Sequence, residues 1–188
     1  MKIGLYFGSF NPIHIGHLII ANHFQNFTDL DQVWFVISPQ NPFKKKSSLA
    51  SEFDRLDMVE IATRDYPHLL ASDIEFRLPK PSFTIDTLVH LEEKYPNHQF
   101  CLIMGSDNLE GLPKWKNSEL ILSKYPIYVY PRPGYVQEEN LENVVIVEAP
   151  LMEISSTFIR SAIKENKNIK PMLPHLVYEH LDKIGLYK

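Results

Sequence analysis

Two histidines three positions apart, His14 and His17, lie inside the stretch Gly8-Ser9-Phe10-Asn11-Pro12-Ile13-His14-Ile15-Gly16-His17. An apolar run at 3–7 leads into this stretch and an amphipathic run leads out of it. Such a pattern predicts a strand, a tight turn and then a helix whose first amides have no partners within the helix. Those amides carry partial positive charge, so the turn is suited to an anion, phosphate above all. Imidazoles at i and i+3 share a helix face and can meet the same anion. Gly8 permits close backbone approach, Pro12 stiffens the turn, and Gly16 leaves room beside the histidines. Neither the dinucleotide fingerprint G-x-G-x-x-G nor the Walker A pattern G-x-x-x-x-G-K-[ST] occurs in the chain, which disfavours an NAD-bound dehydrogenase and a P-loop enzyme. A His-x-x-His metal pair would want a third ligand, and the sequence offers no obvious one near by.

A second constellation is Ile154-Ser155-Ser156-Thr157-Phe158-Ile159-Arg160. Hydroxyl residues here predict a helix cap, and the same cap presents N–H and O–H donors to an anion. Arg160, four residues beyond Ser156, can lean along the same face toward phosphate oxygens.

The elements that must hold these residues follow from hydropathy. Short apolar runs alternate with segments of helical period, the pattern of a parallel sheet flanked by helices. Strands are expected near 3–7, 33–38, 70–74, 100–104, 127–130 and 144–147, and helices near 15–27, 51–64, 85–95, 118–123, 156–165 and 174–184. The expected fold class is therefore α/β, one Rossmann-like domain with a mostly parallel sheet. The polar segment 39–48 reads as a working loop beyond a strand's carboxyl end, where ligands collect in open parallel sheets.

With 188 residues the chain is long enough for one well-buried domain and short for two. Its 44% hydrophobic and 22% charged residues are ordinary globular values. A net charge of −4 gives no basic surplus for gripping nucleic acid by its backbone. Lys44-Lys45-Lys46 is the basic run, suited to a small polyphosphate if it is more than a solvated loop. Cys101 is the lone cysteine, inside an apolar run, which predicts a packing role and a reducing compartment. No window reaches 18 apolar residues, and no long apolar stretch follows Met1-Lys2, so neither a membrane span nor a secretion signal is expected and the protein is placed in the cytoplasm. A homo-oligomer is compatible with the sequence, since a helix face against a partner and one against the core carry the same pattern.

The two constellations resemble the nucleotidyltransferase superfamily that carries H-x-G-H early and I-S-S-T-x-[IV]-R late. Within it the chain is similar to the bacterial nicotinate-nucleotide adenylyltransferases. Pro81-Ser82-Phe83-Thr84-Ile85-Asp86-Thr87-Leu88, Gly105-Ser106-Asp107-Asn108-Leu109, Trp115 and Arg132-Pro133-Gly134-Tyr135 match that family's further elements in order, as do Met172-Leu173-Pro174 and Gly185-Leu186-Tyr187. One departure stands in the loop after the second strand. Family members commonly have Pro-His-Lys there, and this chain has Asn41-Pro42-Phe43-Lys44-Lys45-Lys46, which leaves open which lysine meets phosphate.

The resemblance implies a nucleotidyltransferase fold and the joining of ATP to nicotinate mononucleotide, giving deamido-NAD and pyrophosphate, with Mg²⁺ held mainly through phosphates and water. It implies His14 and His17 on the phosphates of ATP, with His17 nearest the reacting phosphorus. Ser155, Ser156, Thr157 and Arg160 follow on the β and γ phosphates, with Ile154 beside them. It puts the backbone of Gly8, Ser9 and Phe10 against the adenylate, and Gly105 and Asp107 near the sugars. Asn41, Lys45, Thr84, Trp115 and Arg132 are implied on the acceptor side. Pantetheine-phosphate adenylyltransferases share the two superfamily motifs but lack the 81–88 and tryptophan elements. A nicotinamide-preferring enzyme and a nucleotide sensor without turnover are the other readings. An aminoacyl-tRNA synthetase domain is disfavoured by the missing K-M-S-K-S segment and the near-neutral charge.

Overall fold

The computed structural model describes residues 1–39, 49–135 and 141–188. Six strands form one sheet, β1 (Lys2–Gly8), β2 (Gln32–Ile37), β3 (Leu69–Ser72), β4 (Gln99–Gly105), β5 (Ile127–Tyr130) and β6 (Val144–Ile146). Their order is β3-β2-β1-β4-β5-β6 and every pairing is parallel. The helices are α1 (Ile15–Phe27), α2 (Glu52–Thr63), α3 (Thr84–Lys94), α4 (Ser106–Gly111), α5 (Ser118–Lys124), α6 (Ser156–Lys164) and α7 (His175–Ile184). The expected α/β class with a parallel sheet is what the chain forms.

The strands read as continuous apolar runs because both faces of the sheet are covered. Side chains alternate between two cores. Tyr6, Val33, Phe35, Cys101, Ile103 and Tyr128 point to the core shared with α1, α2, α6 and α7. Ile3, Leu5, Val36, Leu102, Met104 and Val129 point to the core shared with α3, α4 and α5. Cys101 is buried in the first of these, its Sγ donating to the Ile3 carbonyl at 3.3 Å, and burial pushes its thiol up to about 12. That environment disfavours the thiolate and agrees with packing.

From β1 the chain works outward to β3, then crosses back to β4 and works outward to β6. The order therefore reverses between β1 and β4, and a crevice opens beyond their carboxyl ends. Gly8 and Gly105 end these two strands.

Two elements differ from expectation. The strand expected over 70–74 stops at Ser72, and Ile74–Arg77 form a 3₁₀ turn in which Phe76 N–H donates to the Asp73 carbonyl at 2.8 Å. Ile74 is packed in the second core either way, so apolarity alone does not separate strand from turn. The short α4 was not anticipated either. At six residues it is below the length at which hydropathy shows a helical period. The remaining boundaries differ by the one or two residues over which helix ends are defined. Among the described residues no helix is long and apolar enough to cross a membrane.

Candidate active site

The turn after β1 is shaped by Phe10. Its φ of 44° lies in the left-handed region, and its ring folds back so that a Cβ on residue 8 would come within 2.7 Å of it. A glycine at position 8 is thus required by space. The Phe10 ring is buried and meets Tyr6 and Phe35 edge-on, with centroids 5.8 and 5.3 Å away. Two aromatic neighbours hold a backbone conformation that phenylalanine rarely adopts.

His14 caps α1 in extended conformation, and its ring stacks on that of His17 with centroids 3.6 Å apart and planes 24° from parallel. The His14 N–H donates to His17 Nδ1 at 3.2 Å. A neutral imidazole that accepts at Nδ1 carries its proton at Nε2, so this bond sets His17 as an Nε2–H donor. His14 is only 4% exposed, and its pKa is pushed down to about 4 by burial first and by the charge of Arg132 second. It is neutral at pH 7. Gly16 does leave room here, since a Cβ would stand 3.1 Å from His14 Nδ1.

The start of α6 interlocks with this turn. The Ser155 hydroxyl oxygen accepts from Phe158 N–H at 3.2 Å, the helix cap expected from sequence. Ser156 Oγ donates to the Pro12 carbonyl at 2.9 Å, so its proton is used in docking the turn. Arg160 donates to the Asn11 carbonyl at 2.8 Å and to Thr157 Oγ1 at 3.3 Å. Gly8, Ser9, Phe10, His14 and His17 then share one cavity of about 410 Å³ with Ile154, Ser155, Ser156, Thr157 and Arg160.

Asp107 and Arg132 line the same cavity and form an ion pair at 3.2 Å. Gly105 makes the pair fit, because a Cβ there would run into the Asp107 carboxylate and stand 2.9 Å from Arg132 Nε. The Arg132 N–H donates to Ser106 Oγ at 2.8 Å, and its guanidinium donates to Tyr130 at 3.2 Å. Arg132 was expected on the acceptor side. It lines the same cavity as the histidines, because β5 is the neighbour of β4 and delivers it over Asp107.

A smaller cavity of about 140 Å³ lies beside the first and is lined by Thr84 and Trp115 together with Glu75, Ser82, Phe83, Lys114, Lys116 and Met104. Trp115 also packs partly on the second core, so it serves wall and core at once. The carboxylate of Glu75 is buried and accepts from Ser82 at 2.9 Å and from Thr87 at 2.7 Å; burial holds its carboxyl above the ordinary carboxylate range. Lys116 pairs with Asp86 at 2.8 Å. Tyr6, Phe7, Gly8 and Asn108 line both cavities, so the two meet where β1 ends. Asn41, Lys45 and the other lysines of that run fall outside the described residues.

Among the described residues no group of three or more His, Cys, Asp or Glu could hold a metal ion. Asp107, the one carboxylate among the described residues lining the larger cavity, is already paired with Arg132. Such a donor set fits a cation that arrives on a polyphosphate better than one caged by protein.

Sequence reasoning missed Arg55. It is fully buried and donates to four backbone carbonyls, those of Ser9 at 2.6 Å, Ser38 at 2.8 Å, Pro39 at 3.2 Å and Ala50 at 3.2 Å. The signal was present, because Arg55, Met58, Val59 and Ala62 recur at i, i+3, i+4 and i+7, which puts an arginine on the buried stripe of α2. Asn108, on both cavity walls, was within a quoted motif but assigned no role.

A cytidylyltransferase-like family model matches residues 5–162. A curated protein of Flavobacterium johnsoniae, named "Probable nicotinate-nucleotide adenylyltransferase", is 57% identical, with all of both chains covered. One of Bacteroides thetaiotaomicron with the same name is 46% identical over 96% of this chain and 91% of its own. Among solved structures, a Plasmodium falciparum nicotinic acid mononucleotide adenylyltransferase complexed with NaAD superposes with a TM-score of 0.85. It is 22% identical and covers 99% of this chain and 97% of its own, a likeness of fold.

Proposed function

The chain belongs to the nicotinate-nucleotide adenylyltransferases of the cytidylyltransferase-like family, enzymes of NAD biosynthesis, and from that premise we propose that it transfers AMP from ATP to nicotinate mononucleotide by direct displacement. An oxygen of the acceptor's phosphate forms a bond to the α-phosphorus of ATP. The bond from that phosphorus to the bridging α–β oxygen breaks, and its electron pair leaves with pyrophosphate. A phosphate monoester, with its second pKa about 6, is already mostly a dianion at pH 7, so the nucleophile requires no general base. Catalysis then consists of alignment and of donors aimed at charge developing on the α-phosphate and the leaving group.

The observation that carries the reading is the meeting of two cavities at Gly8 and Asn108. ATP occupies the larger, with its α-phosphate at the turn and the acceptor's phosphate reaching it from the smaller. His17 supplies its Nε2–H to the reacting phosphate, and His14, neutral at pH 7, acts beside it as a donor and not as a cation. The N-terminus of α6, with Ser155, Thr157 and Arg160, holds the β and γ phosphates, and Ser156 acts through the turn it docks. Asp107 takes ribose hydroxyls, while Gly105, expected beside it, is buried and lines neither cavity, acting by leaving room for the Asp107–Arg132 pair; Arg132 serves the ATP side. Thr84 and Trp115 hold the pyridine nucleotide, with Asn41 and Lys45 reaching its phosphate. Mg²⁺, bound to the triphosphate, neutralises part of its charge. The whole chain acts as one nucleotidyltransferase domain, in the cytoplasm, without nucleic acid or membrane as partner.

The test is pyrophosphate release from ATP and Mg²⁺ with nicotinate mononucleotide, nicotinamide mononucleotide or phosphopantetheine as acceptor. Preference for the first is expected. Preference for another reassigns the acceptor, and ATP binding with no release from any would leave a nucleotide sensor.

A further inference from the structure

The turn that carries Gly8 to His14 is gripped from four directions. Arg55 holds the Ser9 carbonyl, Arg160 the Asn11 carbonyl and Ser156 the Pro12 carbonyl. The fourth grip comes from beyond α7. Gly185, with φ of 67°, ends that helix in the left-handed region, and its N–H and that of Leu186 donate back to the Asp182 and Leu181 carbonyls. This reversal is the one glycine favours. It returns the chain across the buried first core, where Leu186 and Tyr187 pack, and brings Tyr187 Oη to donate to Asn11 Oδ1 at 2.6 Å. The same oxygen accepts from Ala50 N–H at 3.1 Å, so the Asn11 carboxamide is held by two donors from distant parts of the chain. Asn11 is itself buried and lines the larger cavity one residue after Phe10, whose backbone is in the left-handed region.

We infer that Tyr187 is a positioning residue for adenylyl transfer, fixing the Asn11 side chain and through it the turn that must meet the phosphates of ATP. Rotation of this buried carboxamide once the Tyr187 donor is lost would let the turn relax at its strained residue. The phenol remains a proton donor throughout the working pH range, because burial raises its pKa and outweighs the lowering by Arg160 and Arg55. Among the described residues the hydroxyl bonds to Asn11, and the ring contributes packing, so the two can be separated.

Tyr187→Phe keeps the ring and removes one oxygen. Read well below the unfolding midpoint of each variant, its kcat is expected to fall about tenfold, the scale of one buried hydrogen bond lost where alignment matters. The KM for nicotinate mononucleotide should stay within about twofold, since Tyr187 is absent from the smaller cavity. In a cycle with Asn11→Ala, the double variant should be no slower than Asn11→Ala alone. A Tyr187→Phe kcat within about twofold of the parent, or losses that multiply in the double variant, would overturn the inference. The inference rests on the proposed transfer reaction, and affinity for a non-hydrolysable ATP analogue, measured without acceptor, separates the two. If the parent protein transfers to no acceptor, the proposed function fails. A Tyr187→Phe protein that then binds the analogue several-fold more weakly still supports the positioning role, and unchanged affinity overturns it.

Discussion

His14 lies under the turn at the cost of its charge. The unfolded chain protonates this residue near the ordinary 6.5, whereas the folded protein does so only near 4, because burial and then Arg132 oppose the cation. Between those values the unfolded state binds more protons, so stability is full above about 6.5 and falls as the pH drops toward 4. The loss attributable to His14 is up to about 3 kcal/mol. Urea unfolding across this window should show it in the parent and show a flatter profile in His14→Asn; equal profiles would mean the imidazole is protonated in the fold. In the proposed reaction His17 has the different task of donating to the reacting phosphate. His17→Ala should fold normally and lose about 100-fold or more in kcat, on the scale of a missing transition-state donor. A folded variant with near-normal kcat contradicts that role. Trp115→Ala, on the wall of the smaller cavity, should raise the KM for the pyridine nucleotide more than that for ATP, and equal effects in steady-state kinetics would make the indole part of the core only.

At the scale of elements, the histidines and the start of α6 act as one unit only because other elements hold them. Arg55 on α2 is the largest of these supports. It joins Ser38 and Pro39, after β2, to Ala50 and to Ser9. Arg55→Met would leave one buried and three part-buried carbonyls without this donor and should cost about 3 kcal/mol or more in urea unfolding. The exposed Lys80–Glu52 pair gives the contrast, since Lys80→Ala should change stability by less than about 1 kcal/mol. Similar values for the two would remove Arg55 from the account. This support also marks where sequence stops being informative. His14 with His17, the Ser155–Phe158 cap and the Thr157–Arg160 pair are legible because those partners lie within one helical turn, whereas the bonds of Ser156 to Pro12 and of Arg160 to Asn11 span 144 and 149 positions. The six strands are legible because a parallel sheet buries both faces and reads as apolar runs. Arg55 and Tyr187 reach partners 46 and 176 positions away. Those partners are, in the first case, a backbone carbonyl, which leaves no side-chain signature. Arg132 sat in a recognisable motif, yet which cavity it lines depends on the strand order. Ile74, the first residue of the turn over Ile74–Arg77, looked like strand because an apolar residue packs in either conformation.

For the whole molecule, the order β3-β2-β1-β4-β5-β6 decides where chemistry can occur. Helices that follow β1 and β4 diverge to opposite faces, and the crevice between them receives the phosphate turn from one side and the Thr84–Trp115 wall from the other. In the proposed function two nucleotides bound there would face each other across Gly8, and the acceptor's phosphate would need no relay through a protein nucleophile. The stereochemical course at the α-phosphorus tests this directly, using ATP made chiral at that atom by sulfur substitution and nicotinate mononucleotide as acceptor. A single in-line displacement predicts inversion of configuration in the dinucleotide product. Retention would mean two successive displacements through a covalent adenylyl-enzyme, and would contradict the account.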